Sequence, residues 1–286
     1  MKKILASICL SALIFAAATS CTEKIDLELD ESYSRLVVDG HVGSDTTAYA
    51  IHLTSTTGYF YNGPAPRVVN AAVSLTDGTD TYPLHESEPG VSGIYLTDPD
   101  FHGTAGNEYI LNITLAEPIA EAKDYSASCR MHAVARLDSI QAVFQPDWGA
   151  FGFWEIRVYA QEPAGEMNYY LFQLYRNGTL LTDSIHKFTV IDDTFINGSY
   201  ITGAAAIYLD NSDPNQSIAP GDTITLKMSG ITKEYYDFIY QVQMAGFNIP
   251  FFSAPPANVE SNISNDGAGF FAAYSSTCSS TFVRFN

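Results

Sequence analysis

Short runs of alternating apolar and polar residues, each closed by Gly, Asn or Asp, recur from Leu36 to the end of this chain. A period of two places every second side chain on one face, so such runs fold as half-buried β-strands. Leu36 to Val38 before Asp39-Gly40, Tyr49 to Ser55, Gly93 to Leu96, Glu108 to Leu115 and Tyr125 to Val134 all read this way. Val68 to Leu75 and Thr81 to Leu84, joined across Asp77-Gly78, read as a hairpin, because Asp-Gly tolerates the positive φ angles of a tight turn. The 18 Tyr and 17 Phe fit, since aromatic side chains suit a pleated, half-buried surface. Six or seven short strands at a spacing of about 8–12 residues predict an immunoglobulin-like β-sandwich over 35–136.

The pattern restarts at Leu137. Asp138 to Phe144, Phe153 to Gln161, Lys187 to Ile191, Tyr200 to Leu209 and Asp222 to Met228 read as strands. Tyr169 to Tyr175 and Thr179 to Leu181 form a hairpin around Asn177-Gly178, and Gly269 to Tyr274 and Thr281 to Phe285 supply two final strands. One segment breaks the period. Lys233 to Phe247 places Tyr235, Phe238, Ile239, Val242 and Gly246 at steps of three and four, behind a capping Thr232, which predicts a helix over 233–247. The expected fold is mainly β: the N-terminal sandwich, then a β-rich second domain over 137–286 bearing one α-helix.

The head of the chain has a different logic. Lys2 and Lys3 precede an uncharged stretch from Ile4 to Ala18, and Ala18-Thr19-Ser20 leads into Cys21. A positive start, an apolar run of about 15 residues and small residues before a cut are the parts of an export signal, and a spanning helix needs roughly 20. The step into Cys21 resembles a bacterial lipobox, with Ala18 where Leu is usual. Residues 1–20 are therefore expected to be a lipoprotein signal peptide, with Cys21 as the acylated residue. Acyl chains hold a protein to a bilayer without a transmembrane helix. Glu23, Asp26, Glu28, Asp30 and Glu31 make 21–34 an acidic tether, which resembles the signal directing such proteins to the outer face of an outer membrane.

Losing Lys2 and Lys3 leaves 12 basic against 32 acidic side chains, a net charge of −20 with His neutral. Such a chain does not hold nucleic acid, whose phosphates require clustered Lys and Arg. Of four cysteines, Cys9 leaves with the signal and Cys21 takes the lipid. Cys129 and Cys278 remain, either bridged in an oxidising compartment or buried and reduced.

No nucleophile elbow, HExxH or phosphate loop occurs, so no catalytic residue and no cofactor is assigned. Asp138-Ser139 and Asp183-Ser184 read as local turns rather than as base and nucleophile. His41 and His52 belong to neighbouring strands and read as partly exposed fillers rather than as a metal pair. Asp210, Asn211 and Asp213 offer hard-cation oxygens within one loop, and Asp192-Asp193 is a lesser candidate, although Asx-rich turns without metal are the commoner outcome. Trp148, Phe151 and Trp154 cluster in one Gly-rich stretch, and Phe251 and Phe252 in another. Aromatics of this kind either fill a seam between domains or bind sugars, peptides or proteins.

Four stretches, taken in order, resemble a lipoprotein family of Bacteroidota known as domain of unknown function 4249: Cys21 to Leu27 with Leu36 to Gly40; Asp192 to Phe195 with Asn197-Gly198; Gly221 to Ile224 leading to Lys233 to Phe238; and Ser261 to Asn265 with Gly267, Gly269 and Phe270-Phe271. The resemblance implies an extracytoplasmic lipoprotein with a β-rich N-terminal domain and a TonB-dependent outer-membrane transporter as partner. It implies no reaction. The expected function is non-enzymatic, at the cell surface, accessory to nutrient capture by such a transporter. The alternative is a structural or adhesive envelope protein that binds a host or neighbouring-cell molecule.

Overall fold

The computed structural model describes residues 34–58, 61, 63–245 and 259–284. The signal, Cys21, the acidic tether up to Tyr33 and the Phe251-Phe252 loop lie outside the described residues. From Ser34 onward the chain forms one compact unit.

Seven strands come first: β1 (Leu36–Gly43), β2 (Ala50–Ser55), β3 (Ala72–Thr76), β4 (Thr81–Glu86), β5 (Ile94–Leu96), β6 (Glu108–Ile119) and β7 (Ala122–Arg130). They pair edge to edge in the order β1-β2-β5-β4-β3-β6-β7. Alternation in β6 and β7 sends Tyr109, Leu111, Ile113 and Leu115, and Tyr125, Ala127 and Cys129, into one core with Leu36, Val38, Ile51, Leu53 and Tyr95. The Asp77-Gly78 turn forms as expected. Asp77 Oδ1 accepts the Thr79 and Asp80 N–H groups at 3.0 and 2.8 Å, and Gly78 takes φ +88°.

After Arg130 come β8 (Leu137–Gln145), β9 (Phe153–Gln161), β10 (Tyr169–Arg176), β11 (Thr179–Leu180), a 3-10 turn (Ile185–Lys187), β12 (Thr189–Asp192), β13 (Tyr200–Asp210), β14 (Thr223–Ile231), α1 (Lys233–Ala245) and β15 (Ala268–Phe282). Strands β13-β9-β8 form a separate antiparallel sheet. Its Ile140, Ile156, Val158, Ile207 and Leu209 meet Tyr170, Phe172 and Leu174 of β10 and Ile224, Leu226 and Met228 of β14 in a second core. The β10–β11 hairpin turns on Asn177 and Gly178, both with positive φ. Helix α1 is capped by Thr232, whose Oγ1 accepts the Tyr235 N–H at 3.2 Å. Its Tyr235, Tyr236, Phe238 and Ile239 cover Leu171, Ile231, Phe270, Ala272 and Tyr274.

One expectation needs correction. The two final strands are one strand of 15 residues, β15, which runs through Ser275 to Ser280 without a break. Its first half pairs in parallel with β1, Val37 against Ala268 through Gly43 against Tyr274. Its second half pairs antiparallel with β14, Gly230 against Ser275 through Thr223 against Phe282. Ser and Thr suit a strand whose outer face meets solvent, so the polar run continues the ladder rather than ending it.

Gly269 makes the parallel pairing possible. It holds φ +87°, and a Cβ there would lie 2.0 Å from the Val38 carbonyl oxygen. Neither the dihedral nor the space admits a side chain. Gly269→Ala is expected to lower unfolding free energy by about 2–4 kcal/mol in a urea titration. A change within about 0.5 kcal/mol would mean that the close approach of β15 to β1 carries little of the stability.

Candidate functional site

The aromatic stretch and the acidic loop, far apart in sequence, meet at one end of the three-stranded sheet. Residues 146–152 join β8 to β9, and residues 211–222 leave β13. The Asn211 N–H donates to the Gly152 carbonyl at 3.2 Å, and Asn211 Nδ2 donates to the Phe151 carbonyl at 3.2 Å. Gly152, at φ +80°, allows the turn to close over Phe144; a Cβ there would lie 2.3 Å from that ring.

This geometry exposes some aromatics and buries others. Trp148 and Phe151 are 44% and 66% exposed, and Tyr208 of β13 is 54% exposed with its ring 6.0 Å from that of Trp148. Trp154 is not a surface residue. It is 8% exposed in the second core, with its ring 5.0 Å from that of Phe144. Trp154 and Phe144 instead line a cleft of about 580 Å³, together with Pro146, Asn211, Ile218 and Arg284. The Trp154 indole N–H is buried without a hydrogen-bond partner among the described residues. Next to Tyr208 on the outer face, buried Glu155 accepts Gln145 Nε2 at 2.8 Å and Arg157 Nε at 3.0 Å. The Gln145 hydrogen bond leads in holding that carboxyl below its ordinary range, with Arg157 adding to it. Exposed rings beside fixed amide, carboxylate and guanidinium groups can stack on a ligand and bond its polar edges.

The remaining sequence candidates separate. Asp210 Oδ1 accepts the Ser212 N–H at 2.8 Å and Asp213 Oδ1 the Asn215 N–H at 2.9 Å, so these carboxylates cap their own loop. No three His, Cys, Asp or Glu side chains gather as a metal site among the described residues. Asp138 accepts the Tyr200 hydroxyl and Asp183 pairs with Lys187, which leaves neither beside a serine as its base. Cys129 and Cys278 are not bridged. Cys129 Sγ accepts the Ala273 N–H at 3.1 Å, whereas Cys278 sits five residues further along β15, opposite Lys227 and roughly 16 Å away along the strand. Burial pushes the Cys129 thiol up to about 11, so it stays protonated.

A family model described as Domain of unknown function (DUF4249) matches residues 22–280. The chain belongs to this family. No curated protein matches it.

In this DUF4249 chain two groupings bring together residues distant in sequence, and of their members only Asp193, His41 and His52 are candidates from the sequence. One is a set of buried carboxylates, Glu162 and Asp193, with Asn168 and Asn197. The other surrounds His41, which stacks on Tyr274 at 4.8 Å and meets Tyr49 edge-on at 5.7 Å. Asp39, Asp45, His52 and Lys227 line the same cleft, of about 410 Å³. Burial, and then the Lys227 charge, lower the His41 pKa from 6.5 to about 4. The unfolded chain therefore binds this proton at a higher pH than the folded one, and stability is lost as pH falls from about 6.5 toward 4. The native protein is expected to lose about 2–3 kcal/mol more across that window than His41→Phe, which keeps the stack but does not titrate. Parallel pH profiles for the two proteins in urea titrations would show instead that His41 does not carry the effect.

Proposed function

We propose that this chain is a lipoprotein of the outer membrane, held by acyl chains on Cys21 and exposed at the cell surface, which assists nutrient capture by a TonB-dependent transporter without catalysing a reaction. The export head, the Ser20-Cys21 step and the acidic segment behind it support the address. A net charge of −20 after signal removal keeps such a body soluble and off anionic lipid, so the acyl chains alone would make the membrane contact.

The observation that carries the binding role is the aromatic end of the β8-β9-β13 sheet. Trp148, Phe151 and Tyr208 leave apolar ring faces open to solvent, and Asn211, bonded to the Phe151 carbonyl, joins their loop to the cleft that Phe144, Trp154 and Arg284 line. Stacking on those rings suits the flat faces of a sugar or the side chains of a peptide, and Asn211 and Arg284 at the cleft supply polar contacts.

The test is affinity capture of the tagged full chain from native outer membranes. The reading expects an acylated Cys21 at the mature amino terminus and co-purification of a TonB-dependent transporter. An unacylated terminus, or no transporter after cross-linking, would overturn it. Glycan and peptide arrays form a second arm, in which Trp148→Ala/Phe151→Ala is expected to lose the wild-type signal at an unchanged melting temperature.

A further inference from the structure

Glu162 and Asp193 are carboxylates removed from water, at 2% and 0% exposure. Glu162 directly follows β9, and Asp193 directly follows β12. Each backbone is fixed to a neighbouring segment: Asp193 N–H donates to the Asn168 carbonyl at 3.1 Å, and Glu162 N–H to the Ser199 carbonyl at 3.0 Å. Asn168 Nδ2 lies 3.2 Å from an oxygen of each, which brings the two carboxyl groups to one place. No Lys or Arg pairs with either among the described residues. Two such charges cannot stay dry and unneutralised, because an unpaired buried carboxylate costs roughly several kcal/mol.

What surrounds them decides between a proton and a cation. Asn168 Nδ2 lies 3.2 Å from Glu162 Oε1, 3.1 Å from the Glu166 carbonyl oxygen and 3.2 Å from Asp193 Oδ2. An amide nitrogen carries two hydrogens, so three acceptors cannot all be served. Spacings of about 2.8–3.4 Å are those of neighbouring oxygens around an ion bound at 2.3–2.6 Å. Asn168 Oδ1 makes no hydrogen bond within the described residues, so a half-turn of that amide would present oxygen where nitrogen now sits. Asn197 cannot turn in the same way. Its Oδ1 accepts the Gly165 N–H at 3.1 Å, and its Nδ2 steadies Asp193 Oδ2 at 3.0 Å. The decisive atom is Asp193 Oδ1, which is fully buried and has no partner among the described residues. A cation between the carboxylates would fill the vacancy in its bonding and neutralise both at once.

We infer that Glu162, Asp193, the Asn168 side-chain oxygen and the Glu166 carbonyl form a calcium site that locks the ends of β9, β10 and β12 together. Two carboxylates neutralise the dication, and neutral amide and carbonyl oxygens complete a set that Ca²⁺ accepts more readily than Mg²⁺. Tyr170, whose hydroxyl donates to Glu162 Oε1 at 2.6 Å, supports that ligand from behind. The site is independent of the aromatic end and of the role proposed for it.

The test uses the full mature chain, stripped with a chelator and titrated with calcium chloride at pH 7. The melting temperature is expected to rise by roughly 5–10 °C at a hundredfold excess over Kd. Terbium luminescence excited through tyrosine is expected to appear, because Tyr170 touches a ligand, and calcium should compete it away. Asn168→Ala and Asp193→Asn should each abolish both signals. In chelator, Asp193→Asn should melt no lower than the wild type, since it removes a buried charge; if that variant does not fold, Glu162→Gln serves the same purpose. No thermal shift up to about 10 mM calcium, roughly tenfold above the weak end of Kd for extracellular sites, would overturn the inference. So would a calcium response that survives both variants, or one replaced by stability that falls as pH rises, the mark of a shared proton on a raised Glu162.

Discussion

Every buried N–H and C=O of a strand needs a partner, and β15 meets this demand in three different ways. One edge of its first half takes β1. The opposite edge has no strand there among the described residues. Asn262 fills in for one residue, accepting the Phe271 N–H at 3.0 Å and donating to its carbonyl at 2.8 Å. Cys129 does the same for Ala273 with its thiol. Beyond Ser275 the edge passes to β14. Because these substitutes exist, a strand with two apolar faces can lie between the first core, through Phe271 and Ala273, and helix α1, through Phe270, Ala272 and Tyr274. Remove them and the strand would bury unpaired polar groups worth about 1–3 kcal/mol each.

The candidate sites depend on this arrangement. Anchored β15 holds β14, which holds β10, and the face of β10 and β14 is the floor on which β8, β9 and β13 pack. Strand β9 then separates two specialised ends. Phe153 lies at the aromatic rim and Gln161 at the carboxylate cluster, roughly 26 Å apart at strand rise. One end is open and shaped for contact; the other is dry and shaped for a charge. A rigid strand between them keeps each from disturbing the other.

Local chemistry was readable from the sequence wherever it acts over a few residues. The Asp77-Gly78 and Asn177-Gly178 turns, the Thr232 cap and the alternation of β6 and β7 follow from neighbours along the chain, and so did the mainly β character with one helix. Contacts across hundreds of residues were not readable. Nothing near Ser275 to Ser280 announces that a polar run continues a strand, because the reason is β14, about 50 residues earlier. Trp148 and Trp154 look alike in sequence, yet strand parity sends Trp154 inward while Trp148 stays on the loop. Asp193 stood beside Asp192 with no mark distinguishing it. Its burial depends on Glu162 and Asn168, which arrive from other strands. The sequence left open whether Cys129 and Cys278 pair; Cys129 is committed to the backbone of Ala273 instead.

Native-state hydrogen exchange read by mass spectrometry tests the central claim, that β15 is the element on which the described fold is fastened. Peptides covering β1, β14 and the first half of β15 are expected to share the slowest exchange and to become labelled only with global unfolding. If residues 268–274 exchanged early while β6 and β7 stayed protected, β15 would be a late addition to a fold that stands without it, and the account would be contradicted.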